Sequence, residues 1–140
     1  MIITRETDYA IRILRSLLNL RLKNIREISD EQVIPRQFAY KISKKLERAG
    51  YIEIIRGAQG GCRLISDLHE VTLMDLIHVM DRENMMSSCL DGEYECPYRK
   101  KMVDCSIHVS LKHIQDHLAA YFSTITLHDL IFGTLTKENE

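Results

Sequence analysis

The strongest constraint on the fold of this 140-residue chain is a run of helix start and stop signals that begins at residue 24. Asn24 followed by Glu27 has the form of a helix N-cap with a reciprocal carboxylate, which predicts a short helix from about 25 to 32. Pro35 suits the first position of a further helix, and Gly50 ends that helix. Two helices joined by a tight turn at Val33-Ile34 predict a helix-turn-helix.

A β-hairpin is predicted directly after Gly50. Residues 51–55 and 62–65 are rich in strand formers, and the segment 56–61 between them contains three glycines. Residues from Thr4 to about Leu20 carry apolar side chains at helical spacing and predict a first amphipathic helix. The fold class expected is therefore mainly α with a small β-hairpin: a winged helix-turn-helix, followed by a long C-terminal dimerisation helix.

The third helix carries a polar face that fits the major groove of DNA. This face lies opposite Phe38, Ile42 and Leu46. Its members are Arg36, Gln37, Tyr40, Lys41, Lys44 and Lys45. Glycines at the hairpin tip permit close approach to a phosphate, and Arg56 is placed to enter a narrow groove, although glycines taken alone are ordinary turn residues.

The charge distribution agrees with a DNA-binding module joined to a separate control region. Residues 1–65 contain 13 Lys and Arg against 7 Asp and Glu, whereas residues 66–140 contain 6 against 13. A charge run is often only a solvated face, so this signal supports the assignment without deciding it. No nucleophile–base pair, phosphate-binding loop or pocket-forming pair of carboxylates is evident, so an enzyme is not expected.

Three cysteines, Cys89, Cys96 and Cys105, lie in an acidic stretch before the long helix. The N-terminus carries no secretory signal, so the cytoplasm is the expected compartment, and no segment is apolar enough to predict a membrane span. Cysteines at uneven spacings in such a chain indicate a metal or redox site. Iron–sulfur and zinc sites both remain open at this point, and Cys62 in the hairpin is expected to be a buried, unpaired thiol.

The long helix predicted from about Val103 onward has the seam of a coiled coil. Apolar residues recur there at steps of four and three: Ile107, Leu111, Ile114, Leu118, Tyr121 and Ile125. Such a seam needs a partner, either a second copy of the chain or the winged helix of the same chain. The predicted organisation is a DNA-binding domain at 1–80, a cysteine-containing cluster loop at 81–106, and a dimerisation helix with the C-terminal segment at 103–140.

The sequence resembles the IscR/NsrR-type (Rrf-two) family of bacterial winged-helix transcriptional regulators. The resemblance covers nearly the whole chain and rests on TDYAIRIL at 7–14, IPRQFAYKISKKLERAGYIEIIRGAQGGCRLI at 34–65, VTLMDLIHVMD at 71–81 and CSIH at 105–108. It implies a homodimer that binds double-stranded DNA at a pseudo-palindromic operator. It also implies control of that binding by an iron–sulfur cluster, 2Fe-2S or 4Fe-4S, that senses iron, redox state or nitric oxide.

The resemblance also implies site residues. It assigns groove contacts to Pro35, Gln37, Phe38, Tyr40, Lys41 and Arg56. With the polar face and the hairpin tip, the predicted DNA-binding set is Pro35, Arg36, Gln37, Phe38, Tyr40, Lys41, Lys44, Arg56, Gln59 and Gly60.

Cys89, Cys96 and Cys105 are the implied cluster ligands, and two residues compete to be the fourth. His108 matches the CxxH ending of IscR-like members with a 2Fe-2S cluster, and Asp8 matches the aspartate of NsrR-like members with a 4Fe-4S cluster. The gaps between the cysteines, six and eight residues, are longer than those common in the family, which leaves the ligand geometry open. Alternatives are a regulator of the same fold without a cluster, controlled by a partner or a metabolite, one with a structural zinc site, or a small redox protein that does not bind DNA.

Overall fold

The computed structural model describes residues 3–83, 85–102 and 104–136. The parts of the predicted domains that fall on residues 1–2, 84, 103 and 137–140 lie outside the described residues, among them the predicted start of the long helix at Val103. Seven α-helices and two strands are found in the described part. In chain order they are α1 (Arg5–Ser16), α2 (Ile25–Gln32), α3 (Arg36–Arg48), β1 (Ile52–Ile55), β2 (Gly61–Leu64), α4 (Leu73–Met80), α5 (Pro97–Lys101), α6 (Ser106–Phe122) and α7 (Leu127–Phe132).

The fold class predicted from the sequence is confirmed for the helices and the hairpin. Helix α2 has the predicted bounds, and the Asn24 side chain accepts a hydrogen bond from the Glu27 backbone N–H at 2.9 Å. The reciprocal part of the predicted cap is wrong, because the Glu27 carboxylate pairs with Arg21 at 3.2 Å. Val33 ends α2 in the left-handed region with φ 55°, a strained conformation for a β-branched residue, and this forms the tight turn into α3.

The core lies between α1, α2, α3, α4 and the inner side of the hairpin. Its fully buried members include Ile13, Leu14, Leu17, Ile28, Ile42, Leu46, Ile52, Leu76 and Leu127. Helix α7 packs against α1 and contributes Leu127 to the core. The Leu127 N–H donates to the Val71 carbonyl at 2.8 Å, which fixes the start of α7 beside the start of α4. Burial of these apolar side chains is the main source of stability for the whole winged helix.

The hairpin is attached to the helices by its second strand. Strands β1 and β2 pair antiparallel from Ile52–Leu64 to Ile55–Gly61. Cys62 also pairs with Lys23, in the connection between α1 and α2, through N–H to carbonyl bonds of 2.6 and 3.0 Å. A Cβ on Gly61 would lie 2.5 Å from the Lys23 carbonyl oxygen, so only glycine permits this approach.

Two predicted helices end earlier than expected. Helix α1 stops at Ser16 instead of about Leu20, because the chain turns there and Leu20 takes φ 58°. Helix α6 stops at Phe122 after 17 residues, and the chain returns to the winged helix. Ile125, predicted on the coiled-coil seam, is instead buried beside Leu73 and Ile77.

Candidate DNA-binding surface and cysteine loop

The outer face of α3 presents most of the predicted groove-reading side chains to solvent. Pro35, Arg36, Gln37, Tyr40 and Lys41 are exposed. Pro35 precedes the helix as its N-cap residue and provides no side-chain hydrogen bond to the N–H groups of the first turn. An exposed helix start of this kind attracts phosphate.

Phe38 lies on the inner side of α3. Its ring is half-buried and packs edge-to-face against Tyr9, with 5.9 Å between ring centroids and 64° between planes. This contact fixes α3 on α1, which is a packing role. A contact between Phe38 and DNA stays a prediction.

Three cations of the predicted DNA-binding set on α3 pair with carboxylates of the same chain. Arg36 approaches Asp30 at 3.8 Å, and Lys44 pairs with Glu47 at 3.0 Å. Lys41 pairs with Glu6 of α1. Exposed ion pairs contribute only about 0–1 kcal/mol each, so DNA phosphates could replace these carboxylates at small cost.

Lys45, which the sequence placed on the polar face of α3, instead binds at the junction of three helices. Its ammonium donates to Glu6 at 2.7 Å and to the Met80 carbonyl at 2.6 Å, the last residue of α4. Hydrogen bonds from Lys41 and Lys45 lower the pKa of Glu6 below its ordinary value. This junction connects α1, α3 and the beginning of the cysteine loop.

Sequence reasoning missed Glu6 as the centre of this network. The available signal was the spacing of Lys41 and Lys45, four residues apart on one side of a helix, which favours a shared acidic partner. Lys23 was missed as well: it is buried, and its ammonium donates to Glu31 at 2.6 Å and to Ser16 at 3.3 Å.

The hairpin tip is exposed at Arg56 and Gln59. Gly57 has φ 114°, a conformation open chiefly to glycine, and the Gly60 N–H donates back to its carbonyl at 3.0 Å. A Cβ on Gly60 would overlap the Ile55 carbonyl oxygen. Gly60 is thus required by the turn itself, whatever it contributes to binding.

A cleft of about 440 Å³ separates α3 from the hairpin. Tyr40, Lys44 and Arg56 line its sides, and Ser43 and Cys62 lie at its floor. The prediction of a buried thiol at Cys62 is confirmed: burial raises its pKa, an effect that the nearby Ser43 hydroxyl partly offsets. A cleft with one basic residue on each side can hold a nucleic-acid backbone.

The cysteine loop carries three half-buried free thiols. Cys89 lies in the 3-10 turn Ser88–Leu90, where its sulfur accepts a hydrogen bond from the Ser87 hydroxyl at 3.4 Å. Cys96 directly precedes α5, and Cys105 directly precedes α6. Within residues 3–83, 85–102 and 104–136, no three Cys, His, Asp or Glu side chains are close enough to hold a metal ion.

His108 and Asp8 have different surroundings. His108 lines a cleft of about 410 Å³ together with Cys89, and its Nδ1 is buried without a hydrogen-bond partner among the described residues. Asp8 forms an ion pair within its own helix, where its carboxylate binds Arg12 at 2.9 Å. A buried nitrogen without a hydrogen-bond partner, in the same cleft as a thiol, is more readily available as a ligand than a carboxylate outside that cleft.

Helix α6 contributes no buried residue. Ile107, Ile114 and Tyr121 follow one another at seven-residue intervals and are 68%, 45% and 59% exposed. Leu111 and Leu118, the other predicted seam residues on this helix, are half-buried. On its other side α6 contacts α4 and the turn Ser88–Leu90. We call Ile107, Ile114 and Tyr121 the α6 stripe. Among the described residues, no helix is both long enough and apolar enough to span a membrane.

Residues 3–133 match the Rrf2 family, described as iron-dependent transcriptional regulators. The chain belongs to the Rrf2 family. The predicted resemblance is confirmed, and this Rrf2 protein is a transcriptional regulator of a DNA-binding family, not an enzyme.

Two relatives and one solved structure are similar to this chain. The Rrf2 protein is 32% identical to protein aau3 of Rhizobium meliloti over 94% of its own length and 85% of the relative. It is 30% identical to the HTH-type transcriptional regulator NsrR of Bacillus subtilis, over 94% and 90% of the two chains. The structure of T. potens IscR superposes with a TM-score of 0.66 at 18% identity, covering 98% of this chain and 90% of the other, which supports the fold.

Proposed function

We propose that this Rrf2 protein is a homodimeric regulator whose operator binding is controlled by an iron–sulfur cluster on the cysteine loop. The observation that carries the proposal is the loop itself: three unpaired, half-buried thiols lead into α6, and the orphaned His108 nitrogen lies in the cleft of Cys89. The printed description of the family as iron-dependent agrees with it. A regulator of this kind acts in the cytoplasm, where its DNA target is found.

Cys89, Cys96 and Cys105 would hold the cluster, and His108 is the favoured fourth ligand. Thiolate and imidazole donors suit an iron–sulfur cluster, which when bound would supply an iron centre sensitive to iron supply, redox state or nitric oxide. Asp8 is the less favoured ligand because, unlike His108, it does not line the cleft that contains Cys89. If His108 is the ligand, a 2Fe-2S cluster is expected, and if Asp8 is, a 4Fe-4S cluster.

Loop ordering is the proposed link to DNA binding. Because the described residues do not bring three ligands together, Cys96 and Cys105 would have to move toward Cys89. Cys105 adjoins α6, and the loop begins after Met80, whose carbonyl accepts the Lys45 hydrogen bond from α3. Ligation would therefore act on both ends of the loop, and a coupling of about 1–3 kcal/mol is enough for a useful switch.

Contact with DNA is assigned to the exposed side of α3 and to the hairpin tip. Gln37 and Tyr40 are free to read base edges, and Arg36, Lys41 and Lys44 would exchange their carboxylate partners for phosphates. Arg56 and Gln59 at the tip would enter the adjacent groove, with Pro35 and Gly60 close to the backbone.

Dimerisation is assigned to the α6 stripe. Its three large apolar side chains at seven-residue spacing supply one of the two apolar heptad positions of a two-stranded helix contact, and the half-buried Leu111 and Leu118 supply the other. A two-fold dimer would present two α3 helices to half-sites about one DNA turn apart, so the operator is expected to be pseudo-palindromic.

The decisive experiment is an absorption spectrum with iron and sulfide analysis of protein purified without oxygen. We expect a coloured protein with comparable iron and sulfide, whose colour is lost in His108→Ala and retained in Asp8→Ala. Loss in Asp8→Ala alone would assign Asp8 as the ligand. A colourless protein with stoichiometric zinc, or with no metal, would refute the cluster and leave a zinc-containing or partner-controlled regulator.

DNA binding and dimerisation have separate tests. Duplexes selected from a random library should bind with a steep salt dependence and should share a pseudo-palindrome. In sedimentation experiments Ile114→Glu should yield monomers, whereas Ile65→Glu, an exposed isoleucine of the hairpin region, should leave the dimer intact. Dimers in both variants would move the interface away from the α6 stripe.

A further inference from the structure

Two histidines outside the cysteine loop lie one turn apart on the exposed side of α6. His113 and His117 are both exposed, and their ring centroids are 4.2 Å apart with 55° between the planes. The i,i+4 spacing brings the two side chains to one point of the helix surface. Neither residue lines the cleft that contains Cys89 and His108.

The hydrogen bond of the His117 ring leaves its Nε2 free for a ligand. The His117 Nδ1 lies 3.1 Å from the His113 carbonyl oxygen. Since a carbonyl only accepts, Nδ1 carries the proton of the neutral ring, and the lone pair is on Nε2. Metal-binding histidines are commonly held in this way, with the second ring nitrogen donating to a backbone carbonyl.

We propose that His113 and His117 form a two-imidazole site for a divalent cation that prefers nitrogen ligands, such as Zn²⁺, Ni²⁺ or Cu²⁺. Imidazole suits these ions, whereas Mg²⁺ and Ca²⁺ require oxygen ligands. The neighbouring Asp116 carboxylate is held by Lys112 at 2.5 Å, which leaves the two rings as the principal ligands. Water fills the remaining positions around the ion.

Neither ligand of this site belongs to the proposed cluster, and neither is a member of the α6 stripe. Both of its ligands come from one helix of one chain, so one ion per chain is expected. His117 is three residues after Ile114 and four before Tyr121, and residues at these spacings are neighbours on a helix surface. The ion is therefore bound at the border of the α6 stripe. A change in metal concentration would then affect α6 through the two histidines, without involving the cysteines.

Retention of the full-length protein on immobilised Ni²⁺ tests the site directly. The thiols of every sample are first blocked with iodoacetamide, so that cysteine binding does not contribute. The wild-type protein should be retained, and His113→Ala and His117→Ala should each elute at a several-fold lower imidazole concentration. His78→Ala, which removes a single exposed histidine of α4, should elute with the wild type.

A matched variant separates spacing from histidine number. The double variant His117→Ala/Ala120→His keeps two imidazoles on exposed positions but places them seven residues, about 10 Å, apart along the helix. It should elute like the single variants. Retention equal to wild type would overturn the proposal, because histidine count alone would then explain the binding.

Equilibrium dialysis with Zn²⁺ on the same thiol-blocked proteins gives the stoichiometry and the affinity. One ion per wild-type chain and at least about a tenfold weaker affinity in either single variant are expected. Zn²⁺ binding that is unchanged in both variants would refute the site. Circular dichroism of each variant confirms that α6 is folded.

Discussion

The winged helix and the segment from the cysteine loop through α6 differ in where their apolar side chains lie. Residues 3–80 enclose a continuous core from which water is excluded. Among the described residues between 85 and 122, none is buried, and large apolar side chains remain in contact with solvent. The first region is therefore specified by its own packing, whereas the second leaves apolar surface that the fold of this chain does not cover.

A pair of identical substitutions tests this difference most strongly. Ile13→Ala in α1 should lower the free energy of unfolding by about 2–5 kcal/mol, because it leaves a cavity in a fully buried site. Ile114→Ala in α6 should change it by less than about 0.5 kcal/mol in the monomer. Urea denaturation at low protein concentration measures both values, and equal costs would show that α6 packs within its own chain.

Glycine replacement gives the next largest contrast. Gly61→Ala should cost about 1–3 kcal/mol, because the new methyl group overlaps the Lys23 backbone where the hairpin joins the helices. Gly92→Ala in the cysteine loop meets no atom within 4 Å and should be nearly neutral. Thermal unfolding of the two variants provides the comparison, and a neutral Gly61→Ala would mean that the hairpin can detach at little cost.

Two neighbouring lysines of α3 sharpen the comparison within the winged helix. Lys45→Met removes hydrogen bonds to both Glu6 and Met80 and should cost about 1–3 kcal/mol. Lys44→Met removes only an exposed pair with Glu47 and should cost about 0–1 kcal/mol. Chemical denaturation measures the free energy of unfolding of both variants. A similarly small loss in both would show that the Lys45 hydrogen bonds do not stabilise the packing of α3 on α4.

The smallest expected effect is a dependence on pH at Glu6. Its pKa is lowered from 4.5 in the folded chain by Lys41 and Lys45, so its contribution to stability is full above about pH 4.5 and is lost as the pH falls through the lower folded value. The free-energy difference between wild type and Glu6→Gln should therefore be largest near neutral pH and should shrink below pH 4.5. A difference that is constant from pH 7 to pH 3 would contradict the ion-pair assignment.

Local signals were enough to predict the helix-turn-helix and the hairpin. The Asn24 cap and the Val33 turn act within a few residues, so α2 begins and ends where the sequence indicates. The directions of Lys45 and Ile125 were not predictable in this way, because each depends on neighbours that are distant in sequence. Glu27 turns from the cap to Arg21, which the path of the connection between α1 and α2 brings close. Surface and buried positions of a helix share the same spacing rules, and only the packed neighbours decide between them.

The candidate site was predictable only in its chemistry. The sequence identifies the thiols and the two competing fourth ligands, and the structure adds that His108 has an unsatisfied nitrogen while Asp8 is paired. The spacing of the cysteines does not tell whether they converge, since in the proposed function the cluster itself would supply the energy of ordering the loop.

The buried sulfur of Cys62 allows the opening rate of the hairpin to be measured. A thiol-reactive dye should label the three loop cysteines quickly, whereas Cys62, which is fully buried at the floor of the cleft, should react only when the hairpin moves away from α3 and Lys23. The fourth dye molecule per chain would therefore arrive at the rate at which the hairpin opens. Bound DNA, which would hold the hairpin in place, should slow that last labelling step without slowing the other three.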